Sequence, residues 1–349
     1  FINDNLKPKQ VEKKKYGEVF TPIPLVEEML DKLDEYYTKE HNKRIFTEKD
    51  FKWFDPANGM GNFPIIVYLR LMEGLKTQIK NKQQRKKHIL ENMLYMSELN
   101  KKNTHICKQI FDINNEYNLN LYNGDSLTLD TKKEWDVDKF DVIIGNPPYQ
   151  IHGASGDNKG YLLFTSLMIK KLLNNKILLF ITPPNILEYL IRFNKKHRCY
   201  INKFYDIKYI TIHTPDKYFK VGSHFCYFLI INKEVTHTDT IVENLKSIQN
   251  IALYPNKIYP WNDLNKISIS ILNKIISFDD KFDINNMTYN GRNNYLRIRT
   301  KQITNGTVSK TKNAIYKYCV IDKLNKTNPT GLKYYMKEKM KDYDNKKII

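Results

Sequence analysis

The chain has 349 residues, which is enough for one large domain and a second, smaller one. Its hydrophobic fraction of 41% and aromatic fraction of 13% allow a folded core and exclude a disordered polyelectrolyte. The 57 Lys and Arg residues outnumber the 38 Asp and Glu residues, which gives a formal net charge of +19. This excess indicates either a solvated, Lys-rich surface or a polyanionic partner, most often a nucleic acid.

The cysteine and histidine positions argue against disulfides and metal sites. The four cysteines lie far apart without a Cys-x-x-Cys pair, and the eight histidines form no cluster with the spacing of metal ligands. We assign no metal and expect a reducing compartment, which is the cytoplasm or, for a viral protein, an intracellular compartment of the host. No apolar run reaches the roughly 20 residues of a membrane helix, so we expect no membrane partner. The sequence begins with Phe1 instead of Met, and we expect a trimmed start.

Predicted helices and strands alternate along the first part of the chain. The segment "TPIPLVEEMLDKLDEYY" predicts an amphipathic helix that begins near Pro24. The segment "FKWFDPANGMGNFPIIVYLRLMEGL" predicts a strand, a Gly-containing turn and an apolar helix. A basic connection, "KTQIKNKQQRKKH", is expected to begin as helix and to end exposed. A strand, a helix and another strand are then predicted in "MLYMSEL", "NTHICKQIF" and "LNLYNGDSL".

A buried strand is predicted in "FDVIIGNPPY". After the Gly-rich loop "GASGDNKG" we expect a helix in "LLFTSLMIKKLL" and three strands, in "KILLFITP", "KFYDIKYITIH" and "HFCYFLIIN". Alternating strands and helices are typical of an α/β fold with a doubly wound, largely parallel sheet.

The pattern changes after residue 233, and we place a domain boundary near residue 236. The segment "NKISISILNKIISF" predicts one helix, and residues 288–349 are rich in Lys, Asn, Tyr and Thr with only short strand signals. The chain is thus divided into a domain of residues 1–235 and a smaller, basic α+β domain of residues 236–349. The final "YDNKKII" resembles the opening of a strand, so we expect the second domain to be incomplete.

Glycine or acidic residues follow three predicted strands in chain order. Gly59 and Gly61 in "DPANGMGNF" permit a tight turn and the close backbone approach of a cofactor, although such turns also occur for packing reasons alone. Glu98 closes the next strand, where sheets of this kind place a carboxylate on ribose hydroxyls. Asp125 in "NGDSL" follows the third strand. Each acid alone is typical of a solvated turn, but three strand ends at one sheet edge favour a ligand site.

The strand "FDVIIG" ends in Asn146, Pro147, Pro148 and Tyr149. Proline lacks an N–H and fixes φ near about −65°, so this loop is rigid and presents hydrogen-bond acceptors. The amide oxygen of Asn146 and the carbonyl oxygen of Pro147 can accept the hydrogens of a substrate NH2 group and draw its nitrogen toward a nucleophilic, tetrahedral geometry. Tyr149 offers a flat face on which a ring can stack. The alternative is an ordinary Asn-Pro turn after a strand.

Together, "DPANGMGNF" and "NPPY" resemble the motifs of S-adenosylmethionine-dependent amino-methyltransferases, in particular DNA adenine-N6 methyltransferases of the restriction-modification type. The resemblance covers residues 16–232, with the cofactor motifs first, the catalytic motif next and the target recognition domain last. It implies a Rossmann-like methyltransferase sheet, S-adenosyl-L-methionine as cofactor, double-stranded DNA as partner, and a flipped-out adenine whose N6 receives the methyl group. A cognate restriction endonuclease is a further partner that this type of enzyme admits.

The resemblance also implies roles for individual residues. Asn146, Pro147, Pro148 and Tyr149 match the catalytic motif, and Tyr149 and Phe219 would form the two walls of the target-base pocket. Glu98 would bind the cofactor ribose, Asp125 would lie near its adenine amino group, and Phe164 would pack on its adenine ring. Cofactor-binding positions of the family are matched by three groups of residues. These are Tyr16, Phe20, Thr21 and Pro22 of "YGEVFTP", then Asp55, Pro56, Gly59, Gly61 and Phe63 of the Gly-rich motif, and finally Glu98, Asp125 and Phe164.

The sequence leaves alternatives open. Asn58 and Met60 stand where the family has a small residue and then Ser or Thr, and protein-glutamine methyltransferases share "NPPY". A glutamine amide or an RNA adenine is therefore an alternative substrate. "YGEVFTP" and the basic, aromatic segments "NGRNNYLRIRTKQ" and "SKTKNAIYKY" favour DNA, unless the charge belongs to a solvated face. A DNA-binding module without catalysis is a third reading, which the intact catalytic motif disfavours, and no group of residues predicts a fused nuclease.

Overall fold

A computed structural model describes residues 20–150, 160–191, 201, 203–213, 218–219, 224–244, 247–257, 259, 264–277, 308–309, 316–321 and 332–336. The chain divides into two compact units, Phe1–Ile275 and Ile276–Ile349. In the second unit, three strands form an antiparallel sheet in the order β10-β12-β11, with bounds β10 (Val308–Ser309), β11 (Tyr316–Ile321) and β12 (Leu332–Met336).

The first unit alternates helices and strands. Its helices are α1 (Ile23–His41), α2 (Asn62–Gly74), α3 (Lys82–His88), α4 (Lys101–Phe111), α5 (Thr131–Trp135), α6 (Gly160–Lys170) and α7 (Ile186–Ile191), and a further helix, α8 (Lys266–Ser277), contains the division between Ile275 and Ile276. A 3-10 turn covers Ile45–Thr47, and a π-helical turn, Ile89–Met93, continues α3. Its strands are β1 (Trp53–Asp55), β2 (Leu94–Glu98), β3 (Asn120–Asn123), β4 (Phe140–Gly145), β5 (Leu172–Thr182), β6 (Tyr205–His213), β7 (Phe225–Glu234), β8 (Thr238–Glu243) and β9 (Ile248–Leu253).

These nine strands form one sheet in the order β3-β2-β1-β4-β5-β7-β6-β8-β9. Strands β1 to β5 pair in parallel, whereas β7 is antiparallel to both β5 and β6. The predicted α/β fold with a largely parallel sheet is confirmed. The register places Asp55 opposite Met96, and Phe54 opposite Ile143, so β1, β2 and β4 end at one edge. Ligands of open parallel sheets bind at this carboxyl edge.

Two apolar cores cover the two faces of the sheet. The strand interiors are buried on both sides, which explains their continuous apolar runs. Helices α1, α2 and α4 share one core, and α6 and α7 share the other. Helix α1 forms because apolar residues recur at helical spacing on its buried face, namely Leu25, Val26, Met29, Leu30 and Leu33. No described helix combines the length and the apolar composition that a membrane span requires.

The structure differs from the predicted domain boundary near residue 236. Strands β8 and β9 extend the large sheet beyond that point, and the break between the two compact units falls between Ile275 and Ile276. Two of the three buried positions of β8 are threonines, and only the third, Val242, is apolar, so its sequence does not show an apolar alternation. Thr238 donates to Asp206 Oδ1 at 2.7 Å and Thr240 to the Ile207 carbonyl at 2.6 Å. The assignment of the C-terminal part to target recognition stays a prediction.

Two local predictions were also inaccurate. The basic connection was expected to begin as helix, but its helical part is the second half, α3, where the Asn81 side chain caps the first turn by accepting from Gln84 N at 2.9 Å. Strand β5 begins at Leu172, inside the segment predicted as helix, because Leu172 pairs with Phe140 of β4. Tertiary pairing overrides local propensity there.

Candidate active site

The turn after β1 depends on its two glycines. Gly59 has φ +55° and Gly61, the residue that caps α2, has φ +97°. Both values lie in the left-handed region, which strongly favours glycine. A Cβ on Gly61 would also approach Cys107 Sγ to 3.1 Å. The backbone amide of Asn58 donates to the Ser97 carbonyl at 3.1 Å, so the turn is fastened to the end of β2.

Asn58 and Met60, the two departures from the family pattern, point inward. Asn58 is 5% exposed and its Nδ2 donates to the Gly59 carbonyl at 3.1 Å and to Cys107 Sγ at 3.3 Å. Met60 is 3% exposed, and Phe63 on the first turn of α2 is equally buried. The unusual residues therefore anchor the turn to α4 and the core and leave its glycines unchanged.

The residues before α1 lie against this turn. The Phe20 ring lies over Gly59, where an added Cβ would be 3.2 Å from the ring carbons Cδ1 and Cε1. Asn62 Nδ2 donates to the Thr21 carbonyl at 2.8 Å, and Pro22 immediately precedes α1. The structure thus brings Phe20 and Thr21 to the Gly-rich turn, although they are far from it in sequence. Tyr16, the first residue of the predicted group, lies outside the described residues.

Asp55 carries a buried carboxyl group between the ends of β1 and β4. Its Oδ1 accepts from Ala57 N at 3.1 Å, and its Oδ2 is buried without a hydrogen-bond partner among the described residues. Burial, and secondarily the charge of Glu98, raises the pKa of Asp55 well above its usual range. A Cβ on Gly145 would lie 2.7 Å from Asp55 Oδ1. The turn after β1 and the end of β4 are therefore in close contact through this carboxyl group.

We expect Asp55→Asn to flatten the dependence of stability on pH. An acid whose pKa folding has raised contributes its full stability below its unfolded pKa, about 3.9 for Asp, and loses it as the pH rises through the raised value. Each unit of increase in pKa corresponds to about 1.4 kcal/mol. Thermal unfolding between about pH 4 and pH 8 should show wild type losing stability relative to Asp55→Asn as pH rises. If the stability of the two proteins changes with pH in parallel, the Asp55 carboxyl is not destabilised by its burial.

Glu98 links the Gly-rich turn to α4. Its Oε2 accepts from Gly59 N at 2.9 Å and its Oε1 from Asn100 N at 2.7 Å, and the side chain is buried. Each carboxylate oxygen can accept more than one hydrogen bond, as the binding of a ligand hydroxyl would require. The ribose-binding role of Glu98 stays a prediction, but the structure places its carboxylate at the turn as that role requires.

Asp125 lies in an exposed turn after β3, where its Oδ1 accepts from Leu127 N at 2.9 Å. The next residue, Ser126, is buried and hydrogen-bonded to the Pro56 carbonyl and, at 2.6 Å, to the Ser97 hydroxyl. Through these two hydrogen bonds, Ser126 connects the turn after β3 to the Gly-rich turn and to the end of β2. The sequence interpretation missed both serines, although each directly neighbours a predicted acidic residue.

The predicted catalytic motif, Asn146 to Tyr149, begins where β4 ends. Pro147 is buried, Asn146, Pro148 and Tyr149 are half-buried, and the Oδ1 atom of Asn146 is enclosed. The Tyr149 ring meets the ring of Tyr161 on α6 edge-on at a centroid distance of 6.3 Å, and burial raises the pKa of the Tyr149 hydroxyl. Since β4 is the parallel neighbour of β1, the motif lies beside the Gly-rich turn.

The two other predicted aromatic residues pack in the cores. Phe164 on α6 is 5% exposed and belongs to the same core as Tyr161. Phe219 is 8% exposed, packs edge-on against Phe225 at 4.9 Å, and belongs to the core on the opposite face of the sheet. Within the described residues, the rings of Tyr149 and Phe219 do not contact each other. The two-walled base pocket stays a prediction.

No three His, Cys, Asp or Glu side chains among the described residues are grouped so that they could hold one metal ion.

Comparison with known proteins places this geometry in context. The chain is 28% identical over 289 residues to an uncharacterized adenine-specific methylase of Mycoplasma pneumoniae, covering 61% of this chain and 66% of that protein. Among solved structures, it is similar to the DNA-bound Type ISP restriction-modification enzyme LlaBIII, with 18% identity, a TM-score of 0.49, and coverage of 70% of this chain and 22% of that one. It is also similar to the M protein of the Type I restriction enzyme EcoKI, with 15% identity, a TM-score of 0.47, and coverage of 65% and 48%.

The chain thus spans less than two thirds of the length of each of these relatives. The sequence model of one family, described as N-6 DNA methylase, matches residues 7–242, which is more than half of the chain. That match includes the Gly-rich turn, Glu98, Asp125 and the motif after β4. The chain belongs to the N-6 DNA methylase family.

Proposed function

We propose that this chain carries the catalytic domain of a site-specific DNA methyltransferase, which transfers a methyl group from S-adenosylmethionine to N6 of an adenine in duplex DNA. The proposal rests on one observation above all: the "NPPY" motif begins at the end of β4, beside the turn after β1, in a chain of the N-6 DNA methylase family. A cognate restriction endonuclease stays a prediction of the restriction-modification type.

The acidic residues at the carboxyl edge fit the cofactor. Asp55 and Glu98 are the last residues of β1 and β2, and Asp125 follows the adjacent β3, in a chain whose net charge is +19. The Oδ2 atom of Asp55, which is buried without a hydrogen-bond partner in the described part of the chain, suits a cationic ligand, and carboxylates suit ribose hydroxyls. S-adenosylmethionine is cationic, carries a ribose, and supplies an electrophilic methyl group on positively charged sulfur. The turn with Gly59 and Gly61 would hold its methionine part, together with Phe20 and Thr21.

The residues after β4 would act on the substrate amine. Asn146 Oδ1 and the Pro147 carbonyl would accept the two N6 hydrogens, which positions the amine and increases the lone-pair character of its nitrogen. Since enzymes that act on the atoms of a base generally take that base out of the stack, the adenine would be extruded, and Tyr149 would stack on its ring. The N6 proton is released only after it has become acidic through methylation, so this scheme assigns no general base, and Asp125 serves the cofactor instead.

Labelled S-adenosylmethionine tests the proposal directly. The protein is incubated with duplex DNA, structured RNA and a release-factor-like protein, and the labelled product is hydrolysed and identified. We expect N6-methyladenine in DNA. Label confined to RNA adenine or to a protein glutamine would replace the proposed substrate, and absence of label from all three would favour the non-catalytic DNA-binding module.

The two substitutions Tyr149→Phe and Tyr149→Ala separate stacking from hydroxyl chemistry. The Phe variant keeps the ring and is expected to retain most single-turnover activity. The Ala variant loses about 1–3 kcal/mol of stacking, which is about ten- to a hundred-fold in rate. Melting temperature and cofactor affinity are measured alongside, with Tyr161→Phe as a control for the neighbouring ring. A folded but inactive Phe variant would contradict the stacking role, and an Ala variant that loses stability and cofactor binding together would make Tyr149 a packing residue.

A further inference from the structure

A polar cluster joins α1 to the strands β6 and β7. Glu28 of α1 is hydrogen-bonded through Oε1 to His213 Nε2 and to the Tyr227 hydroxyl, both at 3.0 Å, and through Oε2 to the Tyr218 hydroxyl at 2.5 Å. The Glu28 side chain is 22% exposed and that of His213 is 6% exposed. None of these four residues belongs to the site described above.

The cluster lies at the same sheet edge as that site. His213 is the last residue of β6 and pairs with Phe225, the first residue of β7, next to the end of β5, where Thr182 pairs with Cys226. Tyr218 belongs to the connection between β6 and β7, residues 214–224, and directly precedes Phe219. The bond between Glu28 and Tyr218 therefore ties Tyr218 to α1.

The cluster also contacts Phe219 indirectly, through the ring of Phe225. The Phe219 ring packs edge-on against Phe225 at 4.9 Å, and the ring of His213 lies 5.1 Å from the same Phe225 ring. Helix α1 in turn starts directly after Thr21 and Pro22, which lie at the Gly-rich turn. One short helix segment thus connects the predicted cofactor turn with the predicted base-pocket residue.

A carboxylate that receives several hydrogen bonds in a half-buried place fixes its donors strongly, because charge-assisted bonds are stronger than neutral ones and directional. We propose that Glu28 is a positioning residue that holds Tyr218, and through it the next residue Phe219, at the carboxyl edge. This inference rests on the proposed function and on the predicted role of Phe219 as a wall of the target-base pocket. Glu28 itself contacts neither substrate nor cofactor in this proposal.

Limited proteolysis tests the bond between Glu28 and Tyr218 without measuring methylation. Lys217 and Lys220 flank Tyr218 and Phe219, so trypsin reports on the freedom of this connection. We expect cleavage after these lysines to be about ten-fold faster in Glu28→Gln and Tyr218→Phe than in wild type, because local opening becomes easier when a bond to a charged group is lost. Tyr37→Phe is the matched control: Tyr37 is on the same helix and donates to Glu48 Oε1 at 2.6 Å. Unchanged cleavage in Tyr218→Phe, or equal acceleration in Tyr37→Phe, would overturn the tie.

Single-turnover methylation tests the consequence. We expect Tyr218→Phe to lower the rate about ten-fold, with cofactor affinity within about two-fold of wild type, and Tyr37→Phe to change neither. Faster cleavage with an unchanged rate would overturn the positioning role. If Glu28→Gln does not fold, Tyr218→Phe still decides, since it removes only a hydroxyl. A wild-type protein that methylates no DNA would refute the proposed function, whereas the cleavage rates would still confirm or refute the tie.

Discussion

Asn146→Ala is expected to lower single-turnover methylation of adenine by at least about 100- to 1,000-fold, the loss typical when one preorganised polar group is removed from a reaction centre. The amide oxygen of Asn146 would bind the amine more strongly as it becomes a nucleophile, so its removal should affect the transition state more than substrate binding. Affinities for S-adenosylmethionine and duplex DNA should stay within about several-fold of wild type. Isothermal titration and single-turnover kinetics measure both.

Asn232→Ala provides a matched control for that variant. Asn232 is likewise half-buried, but it lies near the end of antiparallel β7, where its Nδ2 donates to the Leu172 carbonyl at 3.0 Å. It therefore sits at the edge of the sheet opposite to the candidate site. This control should keep its activity and lose only modest stability. If Asn146→Ala loses cofactor binding in proportion to activity, Asn146 serves the cofactor site and not the amine.

The parts of the site that follow strand ends could be predicted from the sequence. Apolar runs that stop at Asp55, Glu98 and Gly145 indicate buried parallel strands, and the alternation with helices orients all three in the same direction. Parallel strands with matching register must then present their last residues at one edge. Local patterns were therefore sufficient to predict that the Gly-rich turn, the acid at the end of β2 and the motif after β4 lie at the same edge of the sheet.

Contacts between distant segments could not be predicted in this way. Ser126 reaches Pro56 and Ser97 across 70 and 29 positions of sequence, and Glu28 reaches Tyr218 across 190. Nothing in local periodicity distinguishes a serine or glutamate with such a partner from a solvated one. The burial of Phe219 similarly follows from its packing against Phe225 and the surrounding core, which depends on the whole fold.

The β8–β9 extension shows a second physical limit. A buried strand is recognised in sequence by apolar residues, yet β8 buries Thr238 and Thr240, whose hydroxyls are satisfied by bonds to the neighbouring β6. The free energy of burying these hydroxyls depends on partners supplied by another strand. Sequence reading therefore placed the domain boundary before two strands that belong to the large sheet.

Gly145→Ala is expected to damage both the stability and the activity of the protein. Gly145 has φ +157°, and an added Cβ would lie 2.7 Å from Asp55 Oδ1, closer than real Cβ contacts allow. The Asp55 carboxyl is fully buried and held by Ala57 N, so it has little room to move. We expect a loss of about 1–3 kcal/mol in the free energy of unfolding from overpacking. Because Asn146 is the next residue, a shift of about 1 Å should also lower methylation about 100-fold.

A double-mutant cycle with Asp55 identifies the cause of that damage. Gly124→Ala is the control for a glycine that directly follows another strand of the sheet, β3, since its Cβ would meet the half-buried Tyr122 side chain, which can rotate away. If the close approach to the carboxyl is responsible, Asp55→Ala should remove most of the additional cost of Gly145→Ala, apart from the strain at its φ, and the two substitutions should be strongly non-additive in urea unfolding. Additive losses would show that the carboxyl of Asp55 and the end of β4 are not coupled, and that the damage arises from the backbone of Gly145 alone.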